Sequence, residues 1–467
     1  MKKLLSILLI IVFGLVLIVP QVNASDESTK LELSDDKITV NGEEISTSTT
    51  EAVYLSNKMN NGGTSSEAQE ENIEVSNIIN ITKAGTYDFS GKLTDGQISI
   101  NANEISGEVV IILNNVNITC KKAPAIFVYS KSIENENCKV TIKTAKNSQN
   151  TLTGGKIKTS VEGWEDQDDL IYYVEKGYSD EQEYYERYKY DGAISSDISL
   201  VFEGEGELNV ISSKKEGIEG KGDITINSGT LIVDSLDDGI NACTDNVSDI
   251  TINGGTVIVK VNLEAEEGDG IDSNNKLTIN GGTVISCAYP GSDNGVDADQ
   301  GVVINGGTVI STGDMQEQFK SNNNQNIIQL SLSSKANEGD TIVVVDKDEN
   351  VVFAYKTDRS FSAFGYSSDE LTSQDYTIYT GTDVTGTVDE NGVYTKIDSV
   401  NLDNLTKQEN SQNGMMSGPG QMQGNFENRI NQQNKSNTQV FLYIIGGLAI
   451  ALVLVIVIAA IISKRKK

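Results

Sequence analysis

The chain has 467 residues, with 67 acidic against 36 basic side chains, no histidine, and a net charge of −31. A field of that sign argues against nucleic acid as a partner, because binding the phosphate backbone needs a basic face. The lack of histidine removes Ser-His-Asp triads, Cys-His dyads and His-ligated zinc together.

In chain order, Met1-Lys2-Lys3 leads an apolar run from Leu4 to Val19, with Val22-Asn23-Ala24 before Ser25. That pattern predicts a secretory signal peptide over 1–24. Residues 25–77 are expected to form an N-terminal segment and cap, and residues 78–325 a repeating domain. The repeat is clearest where Ile-Thr-Ile-Asn-Ser-Gly-Thr at 224–230 returns at 250–256, 277–283 and 302–308 with small changes. Its asparagine recurs at Asn227, Asn253, Asn280 and Asn305, in steps of 26, 27 and 25 residues. A fixed period in that range marks stacked units, each too small to bury its own apolar face.

Within a unit, β-branched runs broken by Asn-Gly-Gly read as strand, sharp bend, strand, with no room for a helix. Two or three strands per 25 or so residues fit one coil of a parallel β-helix, whose successive coils pair about 4.8 Å apart. Poorer spellings at Val109–Asn115, Val140–Ile142 and Ser199–Gly204 extend the stack upstream. The expected fold is all-β: a right-handed parallel β-helix with a small C-terminal antiparallel β domain, plus one transmembrane helix.

A second phrase marks another corner: Glu-Gly-Ile-Glu at 216–219, Asp-Gly-Ile-Asn at 238–241, Asp-Gly-Ile-Asp at 269–272 and Asn-Gly-Val-Asp at 294–297. Asp191 begins an earlier, degenerate copy. One column therefore holds Asp191, Glu216, Asp238, Asp269 and Asn294, with Glu219, Asn241, Asp272 and Asp297 three residues after its last four members. Like charges stacked at strand spacing repel. The corner must stay in water or be neutralised, and oxygen-only ligands of this kind suit calcium. The candidate metal ligands are Asp191, Glu216, Asp238, Asp269, Asp272, Asn294 and Asp297. The Asn227 column reads structurally, as stacked amides bonding along the axis.

An insertion over 160–190 breaks the period and holds the only tryptophan, Trp164, with seven of the 17 tyrosines. Trp164, Tyr172, Tyr173, Tyr178, Tyr184 and Tyr185 are candidate carbohydrate contacts, since sugar rings pack on aromatic faces. The competing reading is that Asp180–Tyr190 forms a short helix capping the stack. Of the four cysteines, Cys120, Cys138, Cys243 and Cys287, the first two either bridge neighbouring coils or are inert core thiols. Residues 326–400 read as the small β unit that covers the last coil, with strands at Thr341–Asp346, Val351–Tyr355 and Tyr376–Tyr379. Residues 401–439, rich in Asn, Gln, Ser, Gly and Met, read as a disordered linker. Residues 440–462 carry no charge and are long enough to span a bilayer, and 463–467 form a basic tail expected to be cytoplasmic. Six basic residues fall in the signal (Lys2, Lys3) and the tail (Lys464, Arg465, Lys466, Lys467), so the outside portion carries about −37.

Several phrases together resemble a known family. They are Ile81-Thr82-Lys83-Ala84-Gly85-Thr86-Tyr87, Gly91-Lys92-Leu93-Thr94-Asp95-Gly96-Gln97-Ile98, Leu113-Asn114-Asn115-Val116-Asn117-Ile118 and Asn150-Thr151-Leu152-Thr153-Gly154-Gly155. With the Asp-Gly-Ile copies they resemble the secreted clostridial-type carbohydrate-binding β-helix family, over about 75–400. That resemblance implies a pectate-lyase-like fold, bound calcium, and binding of cellulose or acidic plant polysaccharide such as polygalacturonate without cleavage. Glu216 and Asn294 stand where the family pattern has Asp.

The expected protein is a monomer at a Gram-positive-type cell surface, anchored through 440–462, with polysaccharide as partner and Ca2+ as cofactor. Two rivals remain open. One is a pectin-degrading lyase or hydrolase using Asp237-Asp238 as paired carboxylates; the other is a structural adhesin.

Overall fold

The computed structural model describes residues 28–59, 74–133, 135–155, 192–323, 325–372 and 375–409. The expected signal peptide, the 160–190 insertion with its aromatics, Asp191, most of the linker, the membrane span and the tail lie outside the described residues. Among the described residues no helix is long and apolar enough to cross a membrane. The described chain is all-β, with a single three-residue 3-10 turn at Leu402–Asn404.

The repeats form coils that stack in register. Ile224–Ile226, Ile250–Ile252, Leu277–Ile279 and Val302–Ile304 pair in parallel, Ile224 opposite Ile250, then Leu277, then Val302. The following strands, Thr230–Ser235, Thr256–Val261, Thr283–Cys287 and Thr308–Gly313, stack the same way. A third strand per coil comes from the acidic phrase: Ile218–Gly220, Ile240–Ala242, Ile271–Ser273 and Val296–Ala298.

Alternation decides which face is core. In each Ile-Thr-Ile the isoleucines are buried and the threonine is half-exposed, so Ile226, Ile252, Ile279 and Ile304 make one apolar column and Leu231, Val257, Val284 and Val309 another. Burying each such side chain contributes about 1.5–3 kcal/mol. On the outside, Asn253 Nδ2 donates to Asn227 Oδ1 at 2.9 Å, Asn280 to Asn253 at 2.9 Å, and Asn305 to Asn280 at 3.0 Å. The bend beside this amide ladder needs glycine for two reasons. Gly255 sits at φ +83°, and a Cβ there would lie 2.6 Å from the Gly229 carbonyl oxygen of the preceding coil.

Both ends depart from the repeat. Thr29–Leu33, in the expected N-terminal cap, joins the stack itself as a strand parallel to Gly85–Leu93. At the other end Phe361–Ser367 runs antiparallel to the last-coil strand Thr308–Gly313 and to Ile327–Ala336, covering an edge that would otherwise be open. Buried Arg359 fastens this unit to the coils. Its Nη1 donates to the Val261 carbonyl at 2.5 Å and the Ala288 carbonyl at 3.2 Å, while Nε donates to Asp358 Oδ1 at 2.9 Å. The four cysteines are free thiols. Burial pushes Cys120 up to about 12 and Cys138 up to about 11, as inert core thiols require.

A pair of substitutions separates backbone strain from coil packing. Gly339 has φ +85° with open space where a Cβ would stand. Gly339→Ala should cost about 1 kcal/mol, the penalty for left-handed backbone alone. Gly255→Ala should cost about 3 kcal/mol or more, because steric overlap adds to it. Urea unfolding of the two variants checks this, and equal losses would contradict the close approach of coils.

Candidate functional site

Three cross-strand rows run through every strand of the nine-stranded sheet, and the middle one carries the acids. In it Tyr54 lies opposite Asn80, then Ser99, Phe127, Ser195, Glu219, Asn241, Asp272 and Asp297. Its neighbours along each strand, such as Ile218, Ile240, Ile271 and Val296, point into the core, so this row faces outward. Carboxylates gather at one end of it.

The corner column beside this row is bonded through the backbone. Gly217 N–H donates to the Asp238 carbonyl at 3.0 Å, Gly239 to Asp269 at 2.9 Å and Gly270 to Asn294 at 3.0 Å. The side chains reach the next coil too: Asp238 Oδ1 accepts from Asp269 N–H at 2.8 Å, and Asp269 Oδ1 accepts from Asn294 N–H at 2.5 Å. Asn241 Nδ2 donates to Asp238 Oδ2 at 2.8 Å, so both oxygens of Asp238 are engaged. Glu216 is buried one coil earlier in the same column.

The acids that converge are Asp269, Asp272 and Asp297, whose carboxylate oxygens lie within 4.8 Å of one another. Burial, then Asp238, pushes Asp269 up to about 9. Burial, then Asp297 and Asp299, pushes Asp272 up to about 7. Burial raises Asp297, and burial with Asp272 and Asp237 raises Asp238 well above the usual carboxylate range. Two further acceptors are buried nearby: among the described residues, Asn241 Oδ1 and Asn294 Oδ1 have no hydrogen-bond partner. Asn294 also donates through its side chain to Asp297. Three carboxylates and unpartnered amide oxygens form a donor set made only of oxygen, the chemistry of a hard divalent cation.

Of the sequence-predicted ligands, then, three meet directly, Asp238 and Asn294 adjoin them, and Glu216 stands two coils before Asp269. Asp299 and Glu317 were not expected. Asp299 acts on Asp272 and Asp297, and Glu317 is raised by burial and by Asp297 and Asp299. The only signal for them was the acid density after each phrase. The Asp237-Asp238 pair does not present two free carboxyls, because Asp237 Oδ2 accepts from Lys215 Nζ at 2.8 Å. The predicted aromatic contacts lie outside the described residues.

A family model described as a carbohydrate-binding domain-containing protein matches residues 75–383. A protein of the same description from Acetivibrio thermocellus is 30% identical over 155 residues, which are 33% of this chain and 44% of that relative. The match therefore spans less than half of the relative's length. A solved structure of a polysaccharide lyase-like protein from C. thermocellum, a gadolinium derivative, aligns with a TM-score of 0.34 and 20% identity, over 63% of this chain and 95% of the other.

The raised carboxyls set a pH dependence once cations are chelated. Unfolded aspartates titrate near 4, so between that value and the folded values the folded state holds more protons. The stability these groups lend is complete below about pH 4. It is lost as pH climbs through about 7 for Asp272 and about 9 for Asp269. In EDTA the melting temperature should fall steadily between about pH 5 and pH 9. A flat or rising curve would contradict the crowding of buried acids.

Proposed function

The chain belongs to the family of carbohydrate-binding domain-containing proteins, and from that premise we propose that it holds polysaccharide at the cell surface without cleaving it, using calcium at the Asp269, Asp272 and Asp297 corner. The observation that carries this reading is the convergence of those three carboxylates within 4.8 Å of one another at a half-buried corner. The amide oxygens of Asn241 and Asn294 would complete the ligand set. A bound divalent cation would relieve the mutual repulsion and leave coordination positions for the carboxylates of an acidic polymer such as polygalacturonate. An acidic protein gripping an acidic chain needs such a bridge.

The coil stack is read as a right-handed parallel β-helix that offers a linear side to a linear ligand. The absence of cleavage is supported by the engaged state of Asp237 and Asp238 and by the lack of any histidine. A glycosidase needs one carboxyl to give a proton and a second to attack or to activate water. The signal peptide, the linker and the 440–462 span support display outside the cell with a cytoplasmic C-terminus. The aromatic insertion is proposed to add ring-stacking contacts.

Titration calorimetry of polygalacturonate into the full chain tests the bridge. Binding should be present in millimolar calcium and lost in EDTA, and Asp272→Asn should lower calcium affinity at least about tenfold, or about 1.4 kcal/mol. Unchanged affinity after chelation would remove calcium from the account. Ultraviolet absorbance from an unsaturated product would replace binding by lysis.

A further inference from the structure

At the end of the nine-stranded sheet opposite the acids lies a cavity of about 260 Å3. Its lining includes Tyr54, Asn80, Ser99, Asn101, Glu104 and Tyr129. Tyr54, Asn80 and Ser99 open the same row that ends in Asp272 and Asp297. Six strand spacings separate Asn80 from Asp272, about 29 Å at about 4.8 Å per step, so the two places are distinct.

The lining has a particular chemistry. The half-buried Tyr54 ring supplies an aromatic face, and Tyr129 lines the same wall. Asn80 Nδ2 is held by Ser56 Oγ at 2.8 Å and the Ile78 carbonyl at 3.1 Å, which fixes the amide plane and leaves Oδ1 to accept. Asn101 Oδ1 accepts from the Asn103 backbone N–H at 3.2 Å and Nδ2 at 3.0 Å, which leaves its own Nδ2 to donate. Among the described residues, Glu104 is the one charged group lining the cavity. Its charge adds to burial in raising the Tyr54 phenol.

An aromatic face, amides of both polarities, a hydroxyl and a carboxylate acceptor match a ring with apolar faces and a rim of hydroxyls. A carboxylate without a neighbouring cation repels an anionic ring. We propose that this cavity binds one neutral pyranose unit of a glycan chain, independently of calcium, with Glu104 accepting from sugar hydroxyls and excluding uronic acids. The proposal rests on the carbohydrate-binding reading of the family but not on the calcium bridge.

The test uses the full chain in EDTA, titrated with cellohexaose, xylohexaose, mannohexaose and oligogalacturonate. At least one neutral oligosaccharide should bind, and oligogalacturonate should not. Tyr54→Ala should weaken that binding at least tenfold. Glu104→Gln, an exposed and nearly isosteric change that serves if Tyr54→Ala does not fold, should weaken it severalfold and lessen the discrimination against oligogalacturonate. No binding by any neutral probe, or binding indifferent to both Tyr54→Ala and Glu104→Gln, overturns the proposal. Calcium-dependent capture of polygalacturonate without binding of any neutral oligosaccharide in EDTA would keep the corner while the cavity fails. Its loss alongside intact neutral binding would do the reverse.

Discussion

Coils that pair in register place every residue next to its own counterpart, one period away in sequence and about 4.8 Å away in space. The whole structure answers to that constraint. Each column must be made of groups that tolerate their own copies. Isoleucine and valine do so by packing, which yields the core columns at Ile226 and Leu231. Asparagine does so because an amide both donates and accepts, which yields the ladder from Asn227 to Asn305. Glycine does so by leaving room for the carbonyl of the next coil. Aspartate alone among the repeated residues has no such answer, since a carboxylate only accepts and repels its copy.

The chain softens this conflict without removing it. Asp238 and Asp269 each take a backbone N–H from the following coil, a bond that favours the charged form. Asn241 stands between Glu219 and Asp272 in the outward row, and Asn294 follows Asp269 at the corner, so amides interrupt both lines of acids. The interruption fails between Asp272 and Asp297, which are direct partners in adjacent strands. That is where the carboxylates crowd, and where burial and like charge together raise both of them.

The period made the coils legible, because each column repeats the same chemical solution in the sequence. It also pointed to the acid corner. It could not show which acids meet, since that depends on which intervening positions carry Asn241 or Asn294 and on Asp299 and Glu317, which belong to no repeated phrase. The ends were less legible for the same reason. Thr29–Leu33 joins the stack without the repeat's spelling, and Phe361–Ser367 reverses direction against the last coil. Arg359, which caps carbonyls of two different coils, gives no signal beyond being one of four arginines. The Tyr54 cavity draws on four strands and three loops, so no single stretch of sequence contains it.

The acids also crowd at one particular place along the stack. Val296–Ala298 is the edge strand of the nine-stranded sheet, joined beyond it only by the single bridge from Asn294 to Met315 among the described residues. A carboxylate in the middle of the sheet would face a like neighbour on each side, whereas Asp297 faces Asp272 on one side alone. An edge therefore removes one cross-strand repulsion from the column, while Asp299 and Glu317 still crowd Asp297. The Phe361–Ser367 strand covers the neighbouring edge at Thr308–Gly313 and not this one. The closure of the last coil is thus selective. It seals the edge that would invite strand pairing and leaves the Val296–Ala298 edge without a further strand among the described residues.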